Sequence, residues 1–233
     1  MKTNSHLYQC RGAAFTLIEL LVVIAIISVL AALVIPIVGT ANAHKQLALA
    51  QTQLKTLEAA IDGYKTKLGF YPPDNPNNQV TNQLYFELMG TTNNGIGKVP
   101  DLWVTVDGSA QISSKTSPTI NDFFGIAGFA NTSTRSHSDD SGAAASTFIN
   151  NLTPNQVGLY DQAVPDVKLL VCSVVWPSDR TPYPIDKNPS LNPWRYNSSH
   201  PTNNTGSYDL WVDLIIRGKT NRICNWNTQP IKL

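Results

Sequence analysis

Charge is what this sequence has least of. Only 14% of its 233 residues are Asp, Glu, Lys or Arg, and the formal net charge is +1. So even a balance shows no basic stripe for nucleic acid and argues for no acidic partner. Cysteine is scarce as well: Cys10, Cys172 and Cys224 are all there is. The four histidines, His6, His44, His137 and His200, each lack a second metal ligand at a recognised spacing. His137 shares a polar stretch with Asp139 and Asp140, and a solvated loop is the plainer explanation there. There is no P-loop, no dinucleotide fingerprint and no G-x-S-x-G. No cofactor or metal is therefore expected, and the chain does not look like an enzyme. What is abundant is Asn, Thr, Ser and Pro, the composition of a loop-heavy globular part, and one long apolar run near the start.

That run decides the class. Residues 1–14, MKTNSHLYQCRGAA, are polar and carry Lys2 and Arg11. Then follows FTLIELLVVIAIISVLAALVIPIVG, residues 15–39. A bilayer needs roughly 20 apolar residues as helix, so the run is long enough to cross one. Positive charge ahead of it leaves the start in the cytoplasm and sends the body out. A secretory signal peptide would have a shorter core ending at a small-residue cleavage site. A lipoprotein anchor at Cys10 would need an apolar segment before it, and none is there. A plain signal anchor is the serious alternative, and Glu19 stands against it. A carboxylate at membrane depth costs about 2.5 kcal/mol or more, and a generic anchor has no use for one.

Residues 11–38, RGAAFTLIELLVVIAIISVLAALVIPIV, resemble the N-terminal signature of type IV pilins and type II secretion pseudopilins. The resemblance implies that a prepilin peptidase cuts between Ala14 and Phe15 and methylates the new amine on Phe15. It makes Glu19 the fifth residue of the mature chain, the family's assembly glutamate, and Pro36 the helix-kinking proline. Ala14 departs from the glycine that the family has before the cut. Gly12 lies two residues earlier, but a cut there would put Glu19 out of register. The implied partners are the peptidase, other pilin or pseudopilin subunits and an inner-membrane assembly platform. The physics agrees: a new amine and the Glu19 carboxylate attract strongly in a low-dielectric medium, and either is costly alone. Pairing them within or between subunits rewards docking in one register.

Pro36 removes a backbone donor, so a kink or local melting is expected there, with Gly39 loosening the same region. Beyond it Leu47, Ala50, Leu54, Leu57, Ile61, Tyr64 and Leu68 recur at spacings of three and four, which puts them on one helical face. That face suits packing on the chain's own sheet better than a short coiled-coil seam. Gly69, Pro72 and Pro73 end the helix. From Phe15 to Leu68 it would run about 80 Å. The expected organisation is a leader at 1–14, a transmembrane helix at 15–38, its periplasmic extension at 39–69 and a globular domain at 70–233.

In the body, 79–90 suggests a short second helix, and WVTVDG at 103–108 a strand and turn. DFFGIAGFA at 122–130 is expected as strand or buried loop, and 131–146 as an exposed loop. VKLLVCSVVW at 167–176 and YDLWVDLIIRG at 208–218 read as buried strands, and IKL at the end as an edge strand or tail. Trp176, Trp194, Trp211 and Trp226 serve core packing better than a carbohydrate-binding face. Segments 64–78, 192–199, 208–211 and 223–227 resemble the major pseudopilin of type II secretion, whose acidic calcium loop has no counterpart in IIRGKTNRICNW. Cys172 and Cys224 either pair, as an oxidising compartment allows, or are two separate buried thiols. The expected fold is α+β and pilin-like, with a long kinked N-terminal transmembrane helix packed on an antiparallel sheet of about four strands. It implies a pseudopilin of a type II secretion system, single-pass in the bacterial inner membrane with its body in the periplasm. The alternatives are a minor type IV pilin for adhesion or DNA uptake, and a periplasmic binding or enzymatic domain on a simple anchor.

Overall fold

The structure is a computed structural model that describes residues 16–93, 102–115, 119–133 and 144–233, with the side chains of 33–39 and Pro165 left aside. It is α+β. The chain divides into two units, 1–44 and 45–233. Helix α1, Leu17–Leu68, supplies all the described regular structure of the first and opens the second.

The backbone of α1 stays helical through Pro36 and Gly39. The local melting expected there is not found. Proline deletes a single hydrogen bond, and a cooperative helix of 52 residues continues across it. In the second unit the middle of the apolar stripe is inside as its spacing requires: Ala50, Leu54, Leu57, Ile61 and Tyr64 are buried, while Leu47 and Leu68 at its ends are half-buried. Gln53 is buried with them. Its amide donates to Ser173 Oγ, and its Oε1 accepts from the Ser173 amide at 3.1 Å. The last turn closes through Gly69, which has positive φ.

Helix α2, Leu84–Met89, is short and wholly buried. The strands β1 (Thr91–Asn93), β2 (Leu102–Thr105), β3 (Gln111–Ser113) and β4 (Thr132–Ser133) make one sheet, ordered β3-β2-β1-β4, antiparallel except for β1 beside β4. The segment expected as strand or loop at 122–130 begins in helix α3, Ile120–Phe124. A capping box explains it: Thr119 Oγ1 accepts from the Asp122 amide, and Asp122 accepts from the Thr119 amide. An aromatic cluster fills the space between these elements. Phe129 stacks on Phe86 at 4.9 Å and meets Trp103 edge-on at 5.6 Å.

The hairpin of β5 (Val157–Asp161) and β6 (Val164–Leu170) follows. The strand expected over 167–176 thus ends early. Val171 keeps one bridge to Pro193, and the Cys172 amide turns away to the Asn192 carbonyl at 2.8 Å. The C-terminal sheet is antiparallel and ordered β10-β9-β8-β7, from β7 (Arg195–Asn197), β8 (Asp209–Ile216), β9 (Lys219–Cys224) and β10 (Asn227–Lys232). The sequence implies one antiparallel sheet of about four strands; among the described residues the body instead holds two four-stranded sheets and a hairpin, and this one is antiparallel throughout. Leu210, Val212, Leu214 and Ile216 alternate inward along β8. The β8–β9 turn is Arg217–Gly218, both at positive φ, as a two-residue hairpin turn requires.

Candidate assembly site

Helix α1 begins with four amides that no preceding carbonyl can satisfy. Thr16 and Glu19 satisfy two of them reciprocally. Glu19 Oε2 accepts from the Thr16 amide at 2.8 Å and from Thr16 Oγ1 at 2.7 Å, while Thr16 Oγ1 lies 3.3 Å from the Glu19 amide. This is a capping box, T-x-x-E. The signal was in the sequence as Thr16-Leu17-Ile18-Glu19, and reading Glu19 only as an assembly residue missed it. The other oxygen, Oε1, has no partner among the described residues. Ser28, the next polar side chain, donates back to the Ile24 carbonyl at 2.7 Å and has no spare hydrogen.

Around this carboxylate the helix is apolar on every side and bare. Leu17 is 82% exposed, Leu21 54%, Ile26 55% and Leu30 57%. A helix hydrophobic all round belongs inside a larger assembly or a membrane. Among the described residues no helix is long and apolar enough to cross a membrane. The described side chains of the apolar run stop at Ala32, short of the roughly 20 residues a bilayer needs, and the remainder, 33–39, lies outside them. Ala14 and Phe15, the expected cleavage and methylation positions, also lie outside the described residues, as do His137, Asp139 and Asp140.

In the second unit three polar clusters organise the body. Glu87 is fully buried on α2, with no cation beside it among the described residues. Its carboxylate accepts from Tyr64 Oη (2.8 Å), the Ala130 amide (2.8 Å) and the Asn131 amide (2.9 Å). Burial pushes its pKa up against the pull of those donors. Asn131 completes the staple, donating to the Glu87 carbonyl at 2.7 Å and the Ser146 carbonyl at 2.6 Å. Asp209 gathers the 202–204 loop, accepting from the amides of Thr202, Asn203 and Asn204 at 2.8–2.9 Å. Burial opposes its ionisation, yet those donors hold its pKa below the usual range. Asp213 binds Arg222 bidentately across β8 and β9, at 2.7 and 2.9 Å. Thus the one acid near the family's calcium-loop position is already neutralised. Among the described residues, no three of His, Cys, Asp and Glu are grouped to hold a metal.

Of the two alternatives the sequence leaves open for Cys172 and Cys224, the structure has two separate thiols, both free and buried. Cys172 follows β6 and accepts a weak bond from the Val174 amide at 3.5 Å, while Cys224 sits on β9 opposite Trp211. Burial raises both thiols, Cys172 to about 11. Of the four tryptophans assigned to packing, Trp194 is the most deeply placed at 2% exposure. Trp211 and Trp226 contact each other edge-on at 5.8 Å.

The family-model match falls on the same end of the chain. Residues 11–35 match the family model described as the prokaryotic N-terminal methylation motif. The chain is 40% identical over 60 residues to the type II secretion system core protein G of Pseudomonas aeruginosa. That alignment covers 26% of this chain and 42% of the relative, so the chain spans less than half of the curated protein it matches. No solved structure matches. The resemblance to type IV pilin-like proteins and type II secretion pseudopilins stands on these two findings.

Proposed function

We propose that this chain is a pseudopilin, a structural and non-catalytic subunit of the periplasmic filament of a type II secretion system. The observation that carries the proposal is the bare apolar start of α1 with a single carboxylate in its first turn. One oxygen of that carboxylate caps the helix, and the other is open to a second partner. The methylation motif over residues 11–35 and the likeness to a type II secretion core protein support the same role.

In this proposal prepilin peptidase cuts between Ala14 and Phe15, and Phe15 receives the methyl group. The amine left on Phe15 lies four residues before Glu19, and Oε1 neutralises it, on the same subunit or on a neighbour. An unpaired charge in apolar surroundings costs several kcal/mol, so subunits in the wrong register are rejected. Before assembly the segment 15–38 holds the subunit in the bacterial inner membrane, with the N-terminus cytoplasmic and the domain 70–233 in the periplasm. Residues 39–69 extend the helix outward, and the kink is placed at Pro36. The other partners are further pilin-like subunits and the inner-membrane platform that extracts them.

The test is the intact mass of the protein purified from its own membranes, combined with filament formation by Glu19→Ala. A chain starting at methylated Phe15, with assembly lost in the variant, is the expected result. An intact leader with normal function of Glu19→Ala would leave only a simple anchor and move the function to the periplasmic domain.

A further inference from the structure

A small polar cavity of about 240 Å³ opens between the 75–81 loop, α3 and β5. Its architecture is fixed from beneath by Asn75, which is only 3% exposed. The Asn75 amide donates to the Thr81 carbonyl at 2.8 Å and the Phe123 carbonyl at 3.3 Å. Its oxygen accepts from the amides of Asn77 and Asn78 at 3.0 and 3.2 Å. One buried carboxamide thus ties the loop to α3. Gly125, at φ +66°, lets the two come close: a Cβ there would stand 3.2 Å from Asn77 Nδ2.

The groups that remain free on this frame are of one kind. The side-chain amides of Asn77 and Asn121 and the hydroxyl of Tyr160 have no hydrogen-bond partner among the described residues. Each carboxamide offers both donors and an acceptor. Beside them Phe123 and Tyr160 form a half-exposed edge-to-face pair with centroids 4.4 Å apart. Among the described residues no lysine or arginine lines the cavity, and its one carboxylate, Asp122, accepts from the Thr119 amide through Oδ2. An anion would find no cation here, and a metal ion too few carboxylates. An apolar ligand would strip water from the amides without replacing it. A neutral molecule with adjacent hydroxyls and an apolar C–H face satisfies both the amides and the rings. The volume lies below the roughly 300–1,000 Å³ of drug-sized pockets, so one ring fits and a chain would continue outside.

We propose that this cavity is a subsite for one neutral hexose unit of a glycan. The proposal is independent of the assembly role, since every residue in it lies in the globular body. The test is NMR titration of the isotopically labelled full chain, held in a non-glycosidic detergent, with glucose, galactose, mannose and N-acetylglucosamine in turn. The expected result is saturable shifts at the side-chain amides of Asn77 and Asn121 and the rings of Phe123 and Tyr160, for at least one sugar. Affinity should fall at least about tenfold in Asn121→Ala, an exposed position whose change leaves the fold intact. No saturable shift with any of the four up to about 100 mM overturns the proposal. So do shifts elsewhere on the protein, or shifts that survive Asn121→Ala unchanged.

Discussion

At the scale of single residues, Glu87 governs how the body responds to pH and truncation. Replacing it with alanine strands the Ala130 and Asn131 amides and the Tyr64 hydroxyl together. A loss of about 3–5 kcal/mol is expected in denaturant unfolding, against about 1–2 kcal/mol for Tyr64→Phe, which removes one donor and leaves Glu87 the Ala130 and Asn131 amides. The two should be non-additive, since they share a bond. Because burial holds the Glu87 pKa above its unfolded value, the native state keeps its proton to higher pH than the unfolded chain does. Its contribution is therefore full below the ordinary glutamate range and is lost as pH rises through the folded pKa. Relative to Glu87→Gln, the wild-type protein should lose stability between about pH 4 and the folded pKa; a flat difference across that span would contradict the assignment. Asp209 works in the opposite direction. Its folded pKa is lowered, so its contribution is present above the ordinary aspartate range and is lost as pH falls through the folded value. Asp209→Ala should cost about 2–3 kcal/mol, read by thermal unfolding at neutral pH, by leaving the amides of the 202–204 loop without an acceptor.

At the scale of elements, the two parts of α1 answer to different surroundings. Leu57→Ala, at a side chain 4% exposed, should destabilise the body by about 2–4 kcal/mol. Leu30→Ala, at a side chain 57% exposed, should leave the unfolding of the body unchanged. Circular dichroism melts of both variants check this. The buried stripe was legible in the sequence because a period of 3.6 survives any tertiary context. Strand β8 was legible because apolar residues are dense on a well-bounded run. The strand assigned to 167–176 overran because periodicity cannot see where a chain leaves a sheet, and here the Asn192 carbonyl takes the Cys172 amide. Helix α3 was hidden by two phenylalanines and a glycine that read as strand or loop, although Thr119 and Asp122 carry the capping spacing. Glu87 was invisible for a different reason. A carboxylate between Phe86 and Leu88 has nothing in its neighbours to say that three donors, from α1 and the 130–131 segment, converge on it.

At the scale of the whole molecule, the proposed assembly role and the proposed glycan subsite rest on different stretches of sequence. The first depends on residues up to 38, where the N-terminal methylation motif matches. The second uses residues 75–160 of the body. Lys45–Leu233 expressed alone should fold cooperatively, since α1 from Ala50 onward already has its core there. It should fail to enter filaments, as sedimentation with the wild-type assembly would show. The resemblance to pilin-like proteins was readable from the first 40 residues alone, where the methylation motif also matches, because a carboxylate in an apolar run is expensive enough to need a purpose. What the body adds was not readable, since polar loops carry no periodic signal.

The double duty of Glu19 has an electrostatic consequence. The first turn of a helix is its positive pole, and the proposed cleavage before Phe15 would set a second positive charge only a few residues away. An uncharged glutamine at that position could keep the reciprocal cap while leaving pole and amine to repel each other. Glu19→Gln should therefore retain the helix start, seen by amide exchange at residues 17–20, and still fail to assemble. Glu19→Ala should lose both, and the gap between the two variants measures how much of the residue's work is geometry and how much is charge.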